Sequence, residues 1–440
     1  MVTDRPHGSS LYANRTMVVL LALGLSGGIP NLLATSVVPA WTTDVGWSIE
    51  AIGYLSLLQF PYALKFLWAP CVDRIALPMH RRLGQRRVWL LWSQLAIALL
   101  IFALGLWQPA GVDPSSSVHV IIFAALLAAL TLFSATQDIV ADAFRAESLE
   151  PSQLGAGAGV FVSGYRVAFV ALGALALALA PAIGWTMVFA GMGLIASACV
   201  GGTLAAREPE RRVAPEPGLR GAVVAPFMSL WRIWGIRLFA LVMFVLLFRL
   251  PDQLGNAMTT PLLLKGLGYT TAQLGWVRQG FGFTLTIVGA LVGGWMVARL
   301  GIVRCLVAFG VVQAGSNGGF LVLAEFYGAT TQAAPSTPPS LVPLMGVIAV
   351  ENFAGGLVSA GFVAFLMSVC DRAVVATQYA LLTALMAASG AIAGSLSGIL
   401  TRELDYPAFF LLTIFAGAPG LALIPFIRSR SCNASRVVRS

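Results

Sequence analysis

The chain has 440 residues, of which 58% are hydrophobic and 10% charged, and a formal charge of +9, with a mean hydropathy of +0.85. A soluble domain of this size cannot hide that much apolar surface from water, so soluble enzymes and soluble nucleic-acid-binding domains are excluded. The basic excess then has to be explained by where it sits along the chain.

In chain order, apolar segments fall near 17–40, 49–70, 88–107, 118–144, 155–180, 184–205, 236–260, 272–298, 302–324, 340–370, 374–400 and 406–428. Each approaches or exceeds the roughly 20 residues that cross a bilayer as a helix. Basic residues occupy alternate gaps. They are Arg5 and Arg15, then Arg74, Arg81, Arg82, Arg86 and Arg87, then Arg145, then Arg207, Arg211, Arg212, Arg220, Arg232 and Arg237. The series continues with Arg299 and Arg304, Arg372, and the tail from Arg428. The intervening gaps hold only Lys265 and Arg402. The positive-inside bias therefore predicts an even number of spans with both termini cytoplasmic. Charge here encodes topology, and no nucleic-acid partner is expected.

The five cysteines stand singly, and His7, His80 and His119 fall in predicted tails or loops. Neither set has metal or redox spacing, so no metal site and no cofactor are expected. The first apolar stretch is too long for a signal-peptide core and reads as an uncleaved span.

The longest polar gap, 206–235, carries Pro209, Pro215 and Pro217 and divides six spans from six. The halves echo one another: Arg82-Leu83-Gly84 by Arg299-Leu300-Gly301, and Pro30 with Pro39 by Pro251 with Pro261. A duplicated six-span unit with interrupted helices in matching positions is the pattern of alternating-access carriers. The division predicted is a bundle over 1–205, a linker over 206–235, a second bundle over 236–428 and a tail over 429–440. Glycines at Gly155, Gly157 and Gly159, and at Gly289, Gly293 and Gly294, allow close helix approach.

A charge inside a span costs several kcal/mol unless it meets water or a partner, which makes each one a functional candidate. Gln137, Asp138 and Asp142 sit late in the fourth span, and the two acids share one helical face. Paired carboxylates resist joint ionisation, as proton coupling requires, although an Asp142–Arg145 contact would make the cluster static. Depth counting predicts an ion pair between Asp138 and Arg166. Arg249, Asp252, Glu351 and Asn352 also lie deep, while Lys65, Gln378 and Arg278 lie nearer the ends, where long cations snorkel. Trp41, Trp68, Trp89 and Trp107 read as interfacial anchors. Stations of both signs suit a zwitterionic or anionic organic solute better than an ion channel's repeated rings. A membrane-embedded aspartyl protease would need its acids on two facing helices, so no enzyme is expected; a receptor that binds without translocating is the remaining rival class.

Several of these stretches resemble the AmpG muropeptide permeases of the major facilitator superfamily. They include Lys65-Phe66-Leu67-Trp68-Ala69-Pro70 through Asp73-Arg74, Arg86-Arg87-Val88-Trp89, Ser134 through Asp142, and Gly155 through Arg166. In the second half they include Asp252 through Gly268, Glu351 through Gly356, Phe362 through Met367 and Ala376 through Leu382. The resemblance implies an all-α fold of twelve helices in two pseudo-symmetric bundles. It also implies proton-driven import of anhydro-muropeptides across a bacterial inner membrane, for cell-wall recycling. Some elements are similar to acetyl-CoA and siderophore permeases, which leaves a siderophore or acyl-CoA-type solute as the alternative. The seventh span departs from the family, with Arg249 and Pro251 where members commonly have Lys and Gly.

Taken together, Asp138 and Asp142 are expected to carry the proton, and no cofactor beyond the proton gradient is needed. Lys65, Gln137, Arg166, Arg249, Asp252, Glu351, Asn352 and Gln378 are expected to meet a sugar-peptide. Asp73, Arg74, Arg82 and Arg299 are expected to gate the cytoplasmic side. A monomer in the lipid bilayer is expected.

Overall fold

The computed structural model of the chain describes residues 12–44, 60–107, 117–209, 225–330, 339–371 and 374–427. Residues 45–59, which open the expected second span, lie outside them. So do Arg5, His7, Arg211, Arg212, Arg220, Arg372, Cys432 and the tail from Arg428. The described residues are helical and contain no strand. Among the described residues ten stretches are long and apolar enough to cross a bilayer, from Arg15–Thr42 to Val375–Ile427. Val375–Ile427 runs for 53 residues, which at about 1.5 Å per residue is well over twice a bilayer core. It has to fold back, and Asp405 breaks it with φ 61° and ψ 171°. It therefore supplies the eleventh and twelfth spans, and Phe60–Leu64 and Ala69–Arg74 belong to the second.

Pro226–Gly266 is likewise too long, at 41 residues, for one crossing. It is broken at Gly235, where φ is +53°. The gap read as a linker over 206–235 thus ends in a helix, Ala225–Trp234. That helix exposes Phe227, Met228 and Trp231 and buries Leu230 and Trp234.

Prolines bend the spans where the sequence places them, because each lacks an N–H and its ring crowds the carbonyl four residues back. Between Pro30 and Pro39 the first span widens into a π-helical turn, Leu33–Val37, and Pro261 is followed by another, Leu262–Gly266. Near Pro70 the second span tightens into a 3-10 turn, Lys65–Leu67. Just before Pro251 the seventh span breaks between Leu238–Leu247 and Leu250–Pro261. Both breaks place a deep cation, Lys65 or Arg249, where the helix is interrupted.

The described chain divides into two compact units. The first comprises 1–149, 160–225 and 372–380. In it, Arg15–Leu32, Gln85–Trp107, Ser117–Ser148 and Trp185–Ala205 pack together. Their core includes Ile29, Leu33, Trp41, Ile101, Phe123 and Phe189. Trp41 is only 2% exposed and packs on Phe123 and Phe189 at 5.7 and 4.8 Å between ring centroids. It is a core residue and not the interfacial anchor expected, because the first span continues past it to Asp44.

The second unit comprises 150–159, 226–371 and 381–440. Here Leu341–Val369 packs on both Phe283–Leu300 and Ile302–Phe326, around a core that includes Leu262, Phe320, Ile348, Phe409 and Phe410. The expected close approaches are present. A Cβ at Gly289 would overlap the Phe353 carbonyl, and one at Gly159 would overlap that of Ala290.

Candidate functional site

The first unit gathers four charges onto two spans. The 3-10 turn at Lys65 directs its ammonium to Asp138, and Asp142 Oδ2 lies 3.7 Å away. Asp142 Oδ1 accepts from Arg145 Nη2 at 2.7 Å. Arg145 also donates to the Tyr379 hydroxyl at 3.1 Å and lies 4.3 Å over the Phe161 ring. Two cations and two carboxylates balance, which is how a cluster this deep in apolar surroundings is tolerated. The cluster is asymmetric. The Asp138 side chain is 31% exposed and that of Asp142 only 8%.

The sequence expectations need two corrections here. Asp138 pairs with Lys65 and not with Arg166, because the tightened turn brings Lys65 inward onto the acidic face of the fourth span. For the same reason Lys65 does not snorkel; its side chain is 8% exposed. Gln137 faces the other way, into a buried network. Its Nε2 donates to Ser26 Oγ at 3.1 Å, as does Gln94 Nε2 at 3.2 Å, and Thr203 Oγ1 donates to Gln94 Oε1 at 2.8 Å. Ser26, Gln94 and Thr203 were missed, because single polar residues in apolar spans carry no pattern. Arg166 is half-buried on the fifth span, beside Tyr165. Gln378 is fully buried at the start of Val375–Phe415 and groups with the first unit.

The second unit holds its own polar sites. Arg249, at the break in the seventh span, pairs with Asp252 one turn on. Asp252 Oδ1 accepts from Asn256 at 2.8 Å and Gln313 at 3.4 Å. Glu351 accepts from Asn352 at 2.7 Å, while Thr286 donates to Asn352 Oδ1 at 3.0 Å. Arg278 donates to Thr260 Oγ1 at 2.5 Å. The structure thus groups Arg249 with Asp252, and Glu351 with Asn352, as two stations within one unit.

At the end of the first unit flanked by basic loops stands an ion triad that the sequence reading only half identified. Arg86 Nη2 lies 2.8 Å from Asp73 and 2.6 Å from Glu147, and all three side chains are at most 3% exposed. Asp73 Oδ2 also accepts from the Thr377 backbone N–H at 3.1 Å and its hydroxyl at 2.8 Å. That caps the start of Val375–Phe415, with an acid at the positive end of a helix dipole.

The arginine that meets Asp73 is Arg86, which the expected gating set of Asp73, Arg74, Arg82 and Arg299 did not include. Arg82 lies in the short helix His80–Leu83 and is exposed, whereas Arg86 lies in the first turn of the third span. Arg299 is also exposed, 5.5 Å over the Trp295 ring, and Arg74 is half-buried. Beside the triad, Glu208 accepts backbone N–H groups of Arg86 and Arg87 at 2.8 and 3.0 Å. Burial nevertheless raises the Glu208 carboxyl above its ordinary range. In return Arg87 and Arg15 donate to the terminal carbonyls of the sixth span, at Leu204 (2.8 Å) and Ala205 (2.7 Å).

The profile of the Major Facilitator Superfamily matches residues 17–333. The anhydromuropeptide permease of Escherichia coli K12 is 33% identical over 94% of this chain and 80% of its own length. An uncharacterized protein of Haemophilus influenzae is 34% identical over 94% of each chain. Among solved structures, the proton:xylose symporter XylE bound to 6-bromo-6-deoxy-D-glucose aligns with a TM-score of 0.65 at 15% identity, over 96% of both chains. A bacterial homologue of the iron transporter ferroportin in its outward-facing state also gives 0.65 at 17% identity, over 94% of this chain and 99% of its own. The all-helical fold with deep, balanced charges and the family match agree: this chain is a multi-pass membrane protein of the Major Facilitator Superfamily, in the family of the anhydromuropeptide permeases.

Proposed function

We propose that the chain imports anhydro-muropeptides across a bacterial inner membrane, driven by protons, with both termini in the cytoplasm. It acts as a carrier and not as an enzyme, and works as a monomer needing no cofactor beyond the gradient. The observation that carries the proton role is the unequal exposure of the two acids around Lys65. Asp138 reaches water, while Asp142 is held by Arg145 and Lys65. A proton arriving at Asp138 cancels the nearest partner of Lys65, leaving the ammonium on Asp142 alone at 3.7 Å and open to a ligand carboxylate. Losing the proton to the other side restores the pair and expels the ligand.

The remaining roles follow from chemistry. Arg249 offers a cation to a stem-peptide carboxylate; Asp252, Glu351, Asn352 and Arg166 offer partners to its amine, amides and hydroxyls. Gln137 fixes the rotation of the fourth span through Ser26, and Gln378 joins the ligand contacts when the start of its helix moves. The Asp73–Arg86–Glu147 triad with Thr377 is the gate, and Arg74, Arg82 and Arg299 supply the surrounding positive field. The transporting halves are 1–205 and 236–428, with residues 206–235 joining them and 429–440 as a tail.

The test uses purified chain in liposomes with the outside more acidic. Labelled disaccharide-tripeptide should accumulate above the level reached without a gradient, and an uncoupler should abolish the excess. No accumulation of this solute, with accumulation of a siderophore or acyl-CoA instead, removes the substrate reading.

A further inference from the structure

The mid-section of the first unit carries polar and aromatic groups that neither the charge cluster nor the gate uses. Asn31 Nδ2, on the first span, donates to the hydroxyl of Tyr165 on the fifth. Tyr62, on the second span, shares a hydrogen bond with Ser134 Oγ on the fourth at 2.5 Å. The Tyr165 ring stacks on Phe169 at 5.3 Å with planes 23° apart. Asn31, Tyr62, Tyr165 and Phe169 are each half-buried. Both phenols lie in the field of the Asp138 carboxylate, and Tyr62 also in that of Tyr165. Ser134 stands one turn before Asp138 on the fourth span and Tyr62 three residues before Lys65 on the second, so the Tyr62–Ser134 pair lies next to the Lys65–Asp138 pair. Facing hydrocarbon, an exposed carboxylate would cost several kcal/mol. The volume bordered by Asp138 is therefore wet, and side chains from four spans converge on it.

The chemistry of this wall is specific. An amide and three hydroxyls use only part of their hydrogen-bonding capacity on one another. The second Asn31 N–H, its Oδ1 and the Tyr165 O–H are left to a ligand. A stacked aromatic pair beside them offers an apolar face, which suits the C–H face of a sugar ring better than a flexible peptide. Asp138 and Arg166 flank this wall, while the Arg249–Asp252 pair belongs to the second unit.

We propose that Asn31, Tyr62, Tyr165 and Phe169, with the buried Ser134 holding Tyr62, form a pyranose-binding platform that takes the sugar end of the solute beside Asp138. This rests on the muropeptide reading above and assigns the sugar and the peptide to different walls. A sugar seated there excludes water from Asp138, which ties proton uptake to occupancy.

The test measures binding of two labelled probes to the purified full chain: the anhydro-disaccharide alone and the same disaccharide with its tripeptide. Asn31→Ala and Tyr165→Leu should each weaken both probes by about the same factor, at least tenfold (about 1.4 kcal/mol). Tyr165→Phe, which keeps the ring and loses the hydroxyl, should lose less than Tyr165→Leu. Should Tyr165→Leu not fold, Tyr165→Phe and Asn31→Ala still have to weaken both probes. Unchanged affinities in these variants, or loss confined to the peptide-bearing probe, overturn the platform and leave the muropeptide reading standing. A wild-type chain that binds neither probe removes both.

Discussion

Asp138→Asn isolates the proton role. The exchange removes one negative charge from a balanced set of two cations and two carboxylates while keeping the side chain's volume. It leaves Lys65 with Asp142 at 3.7 Å. The gross attraction of a cation for a carboxylate near 4 Å is about 4 kcal/mol at an effective dielectric of 20. Lys65 therefore remains seated on Asp142, and the variant should fold. What it loses is the switch, since the amide mimics the protonated acid and cannot release a proton. With one proton carried per solute, a gradient of one pH unit supplies about 1.36 kcal/mol, or roughly tenfold accumulation. In proteoliposomes the wild type should approach that ratio, while Asp138→Asn should settle at equal concentrations inside and out. Exchange of labelled for unlabelled solute, which needs no net proton movement, should persist in the variant. Asp138→Asn that still concentrates solute tenfold refutes the assignment; the same loss from Asp142→Asn alone, with Asp138→Asn normal, moves the role to the buried acid.

Arg86→Met leaves Asp73 and Glu147 buried without their cation, at a cost of about 3–5 kcal/mol. Thermal unfolding in detergent should fall sharply, and Asp73→Asn with Glu147→Gln in the same chain should recover much of the loss; a wild-type melting temperature for Arg86→Met would discredit the triad. Gly289→Ala drives a Cβ onto the Phe353 carbonyl and should cost about 1–3 kcal/mol by overpacking, read as a lower melting temperature. Gly280→Ala, where the added Cβ meets nothing within 4 Å, should melt close to wild type, and equal losses in the two variants would count against the close approach at Gly289. Glu208 has a carboxyl held above its ordinary 4.5 by burial, so the folded chain binds that proton more tightly than the unfolded one. Its contribution to stability is greatest below pH 4.5 and declines as pH rises through the raised value. The difference in stability between wild type and Glu208→Gln should therefore slope across that window and be flat at higher pH; a flat difference throughout would argue against burial as the cause.

Much of the plan was legible in the one-dimensional pattern. Hydropathy over some 20 residues decides whether a helix crosses a bilayer, and that sum needs no knowledge of neighbours. The prolines at 30, 39, 251 and 261 marked the interrupted spans for the same local reason, and Asp138 and Asp142 shared a face by helical spacing alone. The cation partner was not legible. Depth counting favoured Arg166 over Lys65, and it is the 3-10 turn at Lys65–Leu67 that brings Lys65 to Asp138.

The expected gate likewise left out Arg86, which helix rotation brings onto Asp73. Trp41 looked like a residue at a span's end until Phe123 and Phe189 closed over it. By itself, then, the sequence determined which segments enter the membrane, where they bend and which polar groups they carry in. Tertiary structure decided which of those groups meet, because a contact between rods depends on their rotation and sliding by a few ångströms, and no local pattern records either.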